Sequence, residues 1–583
     1  MKFSIVVLDG LYLSFWNSIK LRRKQQLFLL FVLIIFTSVA EIFSIGAVFP
    51  FLGALTNPIQ IFKLEELQYL WKVLEVNDPL SVLVYVTAGF ILTSLVSGAM
   101  RLLLIYATTR LSFGIGADIS YEIYKRTLFQ PYYVHINRNS AEVITGITSK
   151  ASSVVTQIVT PILTLLSSVV ILLFIIVGLL VIDTKTTLIS FSFFIILYIF
   201  VALYSKTKLQ KNGEILTKNL TTVQKSLQEG MGGIRDILLD GTQSYFLNTY
   251  RVSDSLYRKA SAENYYYGAS PRYVVESLGM ALIGIFAYHF GRSTDSLMSA
   301  LPILGSLAIA AQRVLPILQQ SYYSWSNLRA GRENLSNVVE LLNQPIQMEN
   351  SNRQLGKLTF KHEIKIDNIS FSYEESKKEV ISNVSLTVPK GSRVGIVGQT
   401  GSGKSTLMDL LMGLLVPSKG YIHVDGIKLN EENLRLWQNN IAHVPQNIFL
   451  SDSSIAENIA FGYRKEEIDF EKLKIAAKKA QISEHIEQLP DGYDTFVGER
   501  GVKLSGGQRQ RIGIARALYK DAEVIFLDEA TSALDNDTEK AVMESIDSLD
   551  KSITIFIIAH RLSTIDGCEQ KIELSEGKVI QQT

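Results

Sequence analysis

The sequence predicts an α-helical membrane domain of six transmembrane helices joined to an α/β nucleotide-binding domain of the P-loop type. Three observations carry that prediction. Charged residues make up only 19% of the 583 and hydrophobic ones 47%, against about 25% charged in ordinary soluble domains. The uncharged runs crowd the first 330 residues. Beyond them lies a strand, a glycine-rich loop and a helix in direct succession. This composition excludes a disordered, collagen-like or disulfide-scaffold chain. The single cysteine, Cys568, rules out an intramolecular disulfide. The net charge of +2 gives no sign of a nucleic-acid partner, and none is expected.

The helices follow in order. Between Lys24 and Lys63 only Glu41 is charged, and between Asp78 and Arg110 only Arg101. Ala151–Ile182 and Thr186–Ser205 carry no charge; Ser277–Gly291 is broken only by His289, and Ser296–Leu328 only by Arg313. A spanning helix needs about 20 apolar residues, so six are expected. The fifth reaches full length only by taking in Arg272–Glu276 or the turn before it. Lys and Arg crowd the segment before the first helix and the second-to-third and fourth-to-fifth connections. By the positive-inside rule these are cytoplasmic, and so are both termini. Met1–Lys20 is too short and too interrupted by Asp9 for a cleavable signal. Its Leu11, Phe15, Trp16 and Ile19 suggest an interfacial amphipathic helix. The connections Arg110–Ser153 and Lys206–Ser270 read as cytosolic extensions of the membrane helices, turning near 132–140 and 228–240. The expected division is a transmembrane domain over 1–330, a linker over 331–349 and a nucleotide-binding domain over 350–583.

In that last part, strand Arg393–Val397 runs into Gly398, Gln399, Thr400, Gly401, Ser402, Gly403, Lys404 and Ser405, and Thr406 opens an apolar helix. Glycines let backbone N–H groups close around phosphates, and the helix N-terminus adds favourable dipole charge. Lys404 is placed to neutralise the β- and γ-phosphates and Ser405 to hold Mg²⁺. Val524–Asp528 is an apolar strand ending in an acid suited to the Mg²⁺ shell, and the adjacent Glu529 can polarise an attacking water. Leu504, Ser505, Gly506, Gly507 and Gln508 precede a helix, giving a second N-terminal anion site.

With these residues in place the nucleotide half resembles the ATP-binding cassette (ABC) family throughout. Tyr373 stands where the adenine-stacking aromatic residue would sit, and Gln446 where the Q-loop glutamine would. Ser532-Ala-Leu-Asp535 is similar to the D-loop and Ala559-His560-Arg561 to the H-switch. Thr495–Gly501 resembles the X-loop of exporters. The resemblance implies that Ser505–Gln508 of one copy closes over ATP held by Lys404 of another, so the working unit is a homodimer. It further implies that Glu529 and His560 hold the attacking water and that Gln446 joins Ser405 and Asp528 around Mg²⁺. Six helices N-terminal to one cassette are similar to ABC exporter half-transporters.

The cargo is read from the intramembrane charges. Ionisable residues there cost about 2.5–3.5 kcal/mol on insertion scales and are functional-site hypotheses by default. Arg101, Arg272 and Arg313, on three helices and in two copies, would line a cavity suited to a polyanionic headgroup, because guanidinium binds phosphate bidentately. Their contexts, with Glu41, are similar to those of bacterial lipid-linked oligosaccharide flippases, which implies a pyrophosphate-linked lipid as cargo and the plasma membrane as location. Other readings stay open. Arg272 and Glu276, four apart on one face, can simply pair, and Glu41 can be the counter-ion of Arg101 or Arg313. The cargo can be another amphipath such as lipid A, a drug or a peptide, and a non-transport role as a regulated channel or scaffold is a third class.

Overall fold

The computed structural model describes residues 10–582 except 57, 64–67, 69–70, 74–77, 79–80, 139, 183, 294–296, 345, 347–355, 374–378, 530–535, 548 and 560–564. It divides into two units: one holds 1–130 and 138–345, the other 131–137 and 346–583.

The first unit is helical: α1 (Gly10–Ser18), α2 (Leu21–Gly46), α3 (Val48–Thr56) and α4 (Val82–Leu128). After α5 (Tyr132–Ile136), which belongs to the second unit, come α6 (Thr160–Ile182), α7 (Thr184–Gly232), α8 (Ile234–Asp240), α9 (Gln243–Ser293), α10 (Leu297–Ala330) and α11 (Arg332–Leu342). Among the described residues, four helical stretches are long and apolar enough to cross a membrane: Leu21–Thr56, Val82–Leu128, Val143–Leu180 and Ser192–Gly232. The expected run 277–291 lies within α9, and residues 297–328 of the expected run 296–328 lie within α10. At 1.5 Å per residue the 47-residue α4 is about 70 Å long, more than twice the hydrocarbon thickness. Its second half is accordingly the polar stretch after Arg110. Lipid-facing chemistry is visible on the same helix, where Leu95 and Leu102 are 67% and 71% exposed, an arrangement stable only in an apolar solvent.

Two prolines shape the helices. Pro50 has no N–H for the Gly46 carbonyl, and α2 ends at Gly46. Pro271 lies inside α9 and deprives the Tyr267 carbonyl of its helical donor. The Tyr322 hydroxyl on α10 donates to that carbonyl at 3.0 Å and lies 2.8 Å from Ser205 Oγ on α7. The group freed by the proline is therefore reused to tie three helices together. Ile34, Ile115, Ile158 and Leu335 lie fully buried where α2, α4, the turn before α6, and α11 meet.

In the second unit β1 (Glu363–Phe371), β2 (Ile381–Pro389), β4 (Lys419–Val424) and β5 (Ile427–Lys428) form an antiparallel sheet in the order β2-β1-β4-β5. A six-stranded sheet has the order β10-β9-β3-β8-β7-β6, from β3 (Arg393–Gly398), β6 (Ile441–Val444), β7 (Val524–Asp528), β8 (Thr554–Ile558), β9 (Gln570–Ser575) and β10 (Lys578–Gln582). Every pairing in it is parallel except β9 with β10. Strands β7 and β8 are buried almost along their whole length, the continuous apolar run expected of a covered parallel sheet. α12 (Lys404–Leu411) follows β3, and α13 (Leu434–Asn440) places Trp437, fully buried, with its indole N–H on the Leu411 carbonyl at 2.8 Å. In such sheets ligands bind beyond the carboxyl ends of the strands. The described residues that directly follow β3, β6 and β7, among them Gln399, Gln446 and Glu529, lie there.

Candidate functional site: a phosphate loop and a buried ion cluster

The turn out of β3 works only with glycine. Gly398 has φ +149°, and a Cβ on it would lie 2.2 Å from the Leu574 carbonyl oxygen and 2.7 Å from Ser402 Oγ. Gly401 and Gly403 follow at φ +83° and +101°, backbone that side-chain-bearing residues avoid. The loop thus curls over its own lysine. Lys404 is buried, and its Nζ donates to the carbonyls of Gly398 at 2.9 Å and Gln399 at 3.0 Å. Among the described residues no carboxylate pairs with that ammonium. Its full charge, with the first-turn N–H groups of α12, therefore faces an incoming anion.

The acids come from the neighbouring strands. Asp528 ends β7, and Glu529 follows in the left-handed region at φ +47°. Its N–H is held by the Ile558 carbonyl of β8 at 3.1 Å. Such a conformation costs about 1–2 kcal/mol and persists where surrounding bonds over-determine it. Gln446, beyond β6, donates from Nε2 to Glu529 Oε2 at 2.7 Å. Burial, and then the Asp528 carboxylate, push the Asp409 carboxyl of α12 up to about 6. This local excess of negative charge is what a divalent cation offsets. The Ser405 hydroxyl, the Asp528 carboxylate and the Gln446 amide are hard oxygen donors of the kind Mg²⁺ takes.

Tyr373 puts its hydroxyl 3.3 Å from Thr406 Oγ1 and packs edge-on to Phe371. Burial, then Asp409 and Tyr373, raise the Tyr132 phenol of α5, so that short helix lies beside the phosphate-loop helix. Ser505 caps α14 (Gly506–Tyr519): its Oγ accepts from the Gln508 N–H at 3.3 Å, and Gln508 Oε1 accepts from the Ser505 N–H at 2.8 Å. This reciprocal cap satisfies the third amide and leaves those of Gly506 and Gly507 as the anion-binding donors of the turn. Asp535 and His560 lie outside the described residues.

The membrane unit holds a second polar locus. Glu41 is fully buried. Its Oε1 accepts from Arg101 Nε and from Ser97 Oγ, the latter at 2.6 Å, and its Oε2 accepts from Arg313 Nη1 at 2.6 Å. Arg313 Nη2 also donates to Ser44 Oγ at 2.8 Å. One carboxylate thus serves two guanidiniums from α4 and α10, leaving one net positive charge per chain. Arg101 Nη2 is buried with no hydrogen-bond partner among the described residues. Arg272 does not join this cluster. It pairs with Glu276, one turn along its own helix, at 3.6 Å, with both side chains more than half exposed.

Sequence reasoning missed Asp409 and the two serines. The serines had a signal: Ser44 stands three residues after Glu41 and Ser97 four before Arg101, hence on the same helical faces. Asp409 had none, because only folding sets it beside Asp528.

The comparisons with known proteins agree with this geometry. The ABC transporter transmembrane region family matches residues 26–269, and the ABC transporter family matches residues 381–532. The ATP-dependent lipid A-core flippase of Pseudomonas syringae pv. tomato is 31% identical over 483 residues, covering 82% of this chain and 78% of that protein. The protein of the same name from Alkalilimnicola ehrlichii is 42% identical over 244 residues, 42% of this chain and 41% of its own. A bacterial Atm1-family ABC exporter solved with ATP bound superposes with a TM-score of 0.75 at 22% identity, over 96% of this chain and 94% of that one. With its helical membrane unit, phosphate loop and signature helix, the chain belongs to the ABC transporter family and is an exporter-type half-transporter, with an ATPase coupled to transport.

Proposed function

We propose that the chain works as a homodimer that uses ATP to flip a phosphorylated glycolipid of the lipid A-core class across a bacterial plasma membrane. The observation that carries the cargo class is the relationship to lipid A-core flippases along four-fifths of the chain. The Glu41–Arg101–Arg313 cluster supports it: a net positive charge with an unused buried N–H donor suits a phosphate headgroup. A second reading is a pyrophosphate-linked oligosaccharide lipid, whose headgroup would rest on Arg101 and Arg313, with Arg272 engaged by Glu276.

The transmembrane domain is assigned to 1–330, the linker to 331–349 and the nucleotide-binding domain to 350–583, with the polar connections and both termini cytoplasmic. Gly398–Thr406 with Lys404 hold the phosphates, and Tyr373 stacks on the adenine. Ser505–Gln508 of the partner closes the site, and the motifs around Asp535 and His560 assign these two residues to it as well. Mg²⁺, held by Ser405, Asp528 and Gln446, supplies charge neutralisation at the β- and γ-phosphates. Gln446 holds the Glu529 carboxylate in the described arrangement. Freeing that carboxylate to accept a proton from the attacking water links movement of the Gln446 loop to hydrolysis.

The test is transport by the purified protein in proteoliposomes, offered fluorescent lipid A or pyrophosphate-linked oligosaccharide lipid. ATP-dependent movement of lipid A is expected, with Glu529→Gln lowering turnover by about 10²–10⁴ while ATP stays bound. Movement of the pyrophosphate lipid alone moves the assignment to the second reading. Movement of neither overturns both.

A further inference from the structure

A cavity of about 820 Å³ lies between α2 and α4, away from Glu41 and its partners. Its polar end is made by Arg22, Arg23 and Arg110, and its walls by Leu29, Leu33 and Phe113. No acidic side chain lines it. Arg23 is already engaged, donating to Asp118 at 2.8 Å and to the Gly114 carbonyl at 3.2 Å. Among the described residues no ion pair or hydrogen bond engages Arg22 or Arg110, and both are exposed. Two guanidiniums with no carboxylate partner among the described residues therefore line one cleft between spanning helices.

The depth of the cleft matters as much as its charge. From Arg22 to Leu33 is eleven residues of α2, about 16 Å of helix. On α2 the cavity runs from the polar start of the helix into its apolar stretch, and on α4 it spans Ala107–Gly114, across the point where that helix turns polar. Leu29, on the apolar side of Arg22, is 66% exposed, an open wall that an acyl chain would cover favourably. The level is marked independently by α1, where Trp16 is exposed and carries Lys24 Nζ 5.3 Å over its ring, the pairing of aromatic and cation found at membrane interfaces.

We infer that this cleft is a binding site for an anionic bilayer phospholipid, its phosphodiester held by Arg22 and Arg110 and its acyl chain against Leu29 and Leu33. Basic pockets between spanning helices bind anionic headgroups in this way. The inference holds whichever leaflet the cleft opens to, and it does not depend on the cargo. A resident lipid here would brace the α2–α4 pair that also carries Glu41 and Arg101.

Native mass spectrometry of the full-length protein, with phosphatidylglycerol and phosphatidylethanolamine added at equal amounts, tests it. The wild type is expected to retain phosphatidylglycerol preferentially. Arg22→Ala and Arg110→Ala are each expected to weaken that retention about fivefold and together about thirtyfold. Arg22→Lys with Arg110→Lys keeps most of it, and Arg251→Ala, at an exposed basic site elsewhere, changes nothing. Basal ATPase activity reports that each variant is folded, and should the double variant fail to fold, the two single variants give the same reading. Equal retention of the two lipids by the wild type overturns the site. So does unchanged preference in a folded double variant, or stoichiometric displacement of phosphatidylglycerol by lipid A, which would make the cleft a cargo site.

Discussion

The phosphate loop and the Glu41 cluster both manage charge in poorly hydrated surroundings, and they do so by opposite means. The loop uses backbone: glycines at positive φ bring N–H groups and two carbonyls around Lys404, whose charge is left uncompensated for a ligand. The cluster uses side chains: one carboxylate is shared by two arginines, with two serines bonded to them and to it. A site that must release a product thousands of times cannot rest on a strong internal ion pair. A fully buried carboxylate in the bilayer needs cationic partners, because an isolated charge there carries a large penalty. The contrast predicts which substitutions act through electrostatics and which through shape.

Glu41→Gln is expected to have the largest effect on stability. It leaves both guanidiniums without a counter-charge, at a cost of about 3 kcal/mol, the low end for a broken buried pair because both arginines are partly solvated. Thermal unfolding of the detergent-solubilised protein would show the loss, while ATP affinity stays unchanged. If ATP affinity falls in parallel, the two loci are not separate as drawn. Gly398→Ala is next, at about 2 kcal/mol. The added methyl meets the Leu574 carbonyl and takes a φ that alanine avoids. Nucleotide binding measured by fluorescence titration should fall at least tenfold. Binding at wild-type strength would mean the loop does not depend on its backbone shape.

Asp409→Asn is the smallest and has a definite pH signature. The folded carboxyl titrates at about 6, above its ordinary value near 4. The folded state therefore holds the proton more tightly than the unfolded state, so Asp409 destabilises increasingly as pH rises from about 4 to 6, and fully above that. Asn removes the burden. A gain of about 1 kcal/mol is expected above pH 6, scaled down because water reaches part of the side chain, and none below about pH 4. Melting curves across that range decide it; a gain independent of pH would assign the effect to packing instead.

Much of the nucleotide site was readable from the chain because its chemistry is local. Gly398 through Thr406 are consecutive, Glu529 adjoins Asp528, and the Ser505–Gln508 cap closes within one turn. The same holds for Arg272 and Glu276, whose pairing follows from four-residue spacing. The Glu41 cluster was only half readable. Rarity flags Glu41, Arg101 and Arg313 individually, but their partnership joins residues 60 and 272 positions apart. The three-arginine arrangement expected from sequence becomes a pair bound to one carboxylate, with the third arginine engaged on its own helix.

Composition and short-range pattern were enough to establish that this chain spans a bilayer and carries an ATP-binding cassette, because hydropathy and phosphate-loop chemistry are written over stretches of about twenty residues or fewer. Which charges cancel, that Asp409 is lifted by Asp528, and that Arg22 and Arg110 line one cleft depend on groups meeting from distant segments. Coulomb energy falls with distance in space and is indifferent to separation along the chain, so those facts exist only once the helices and strands have packed.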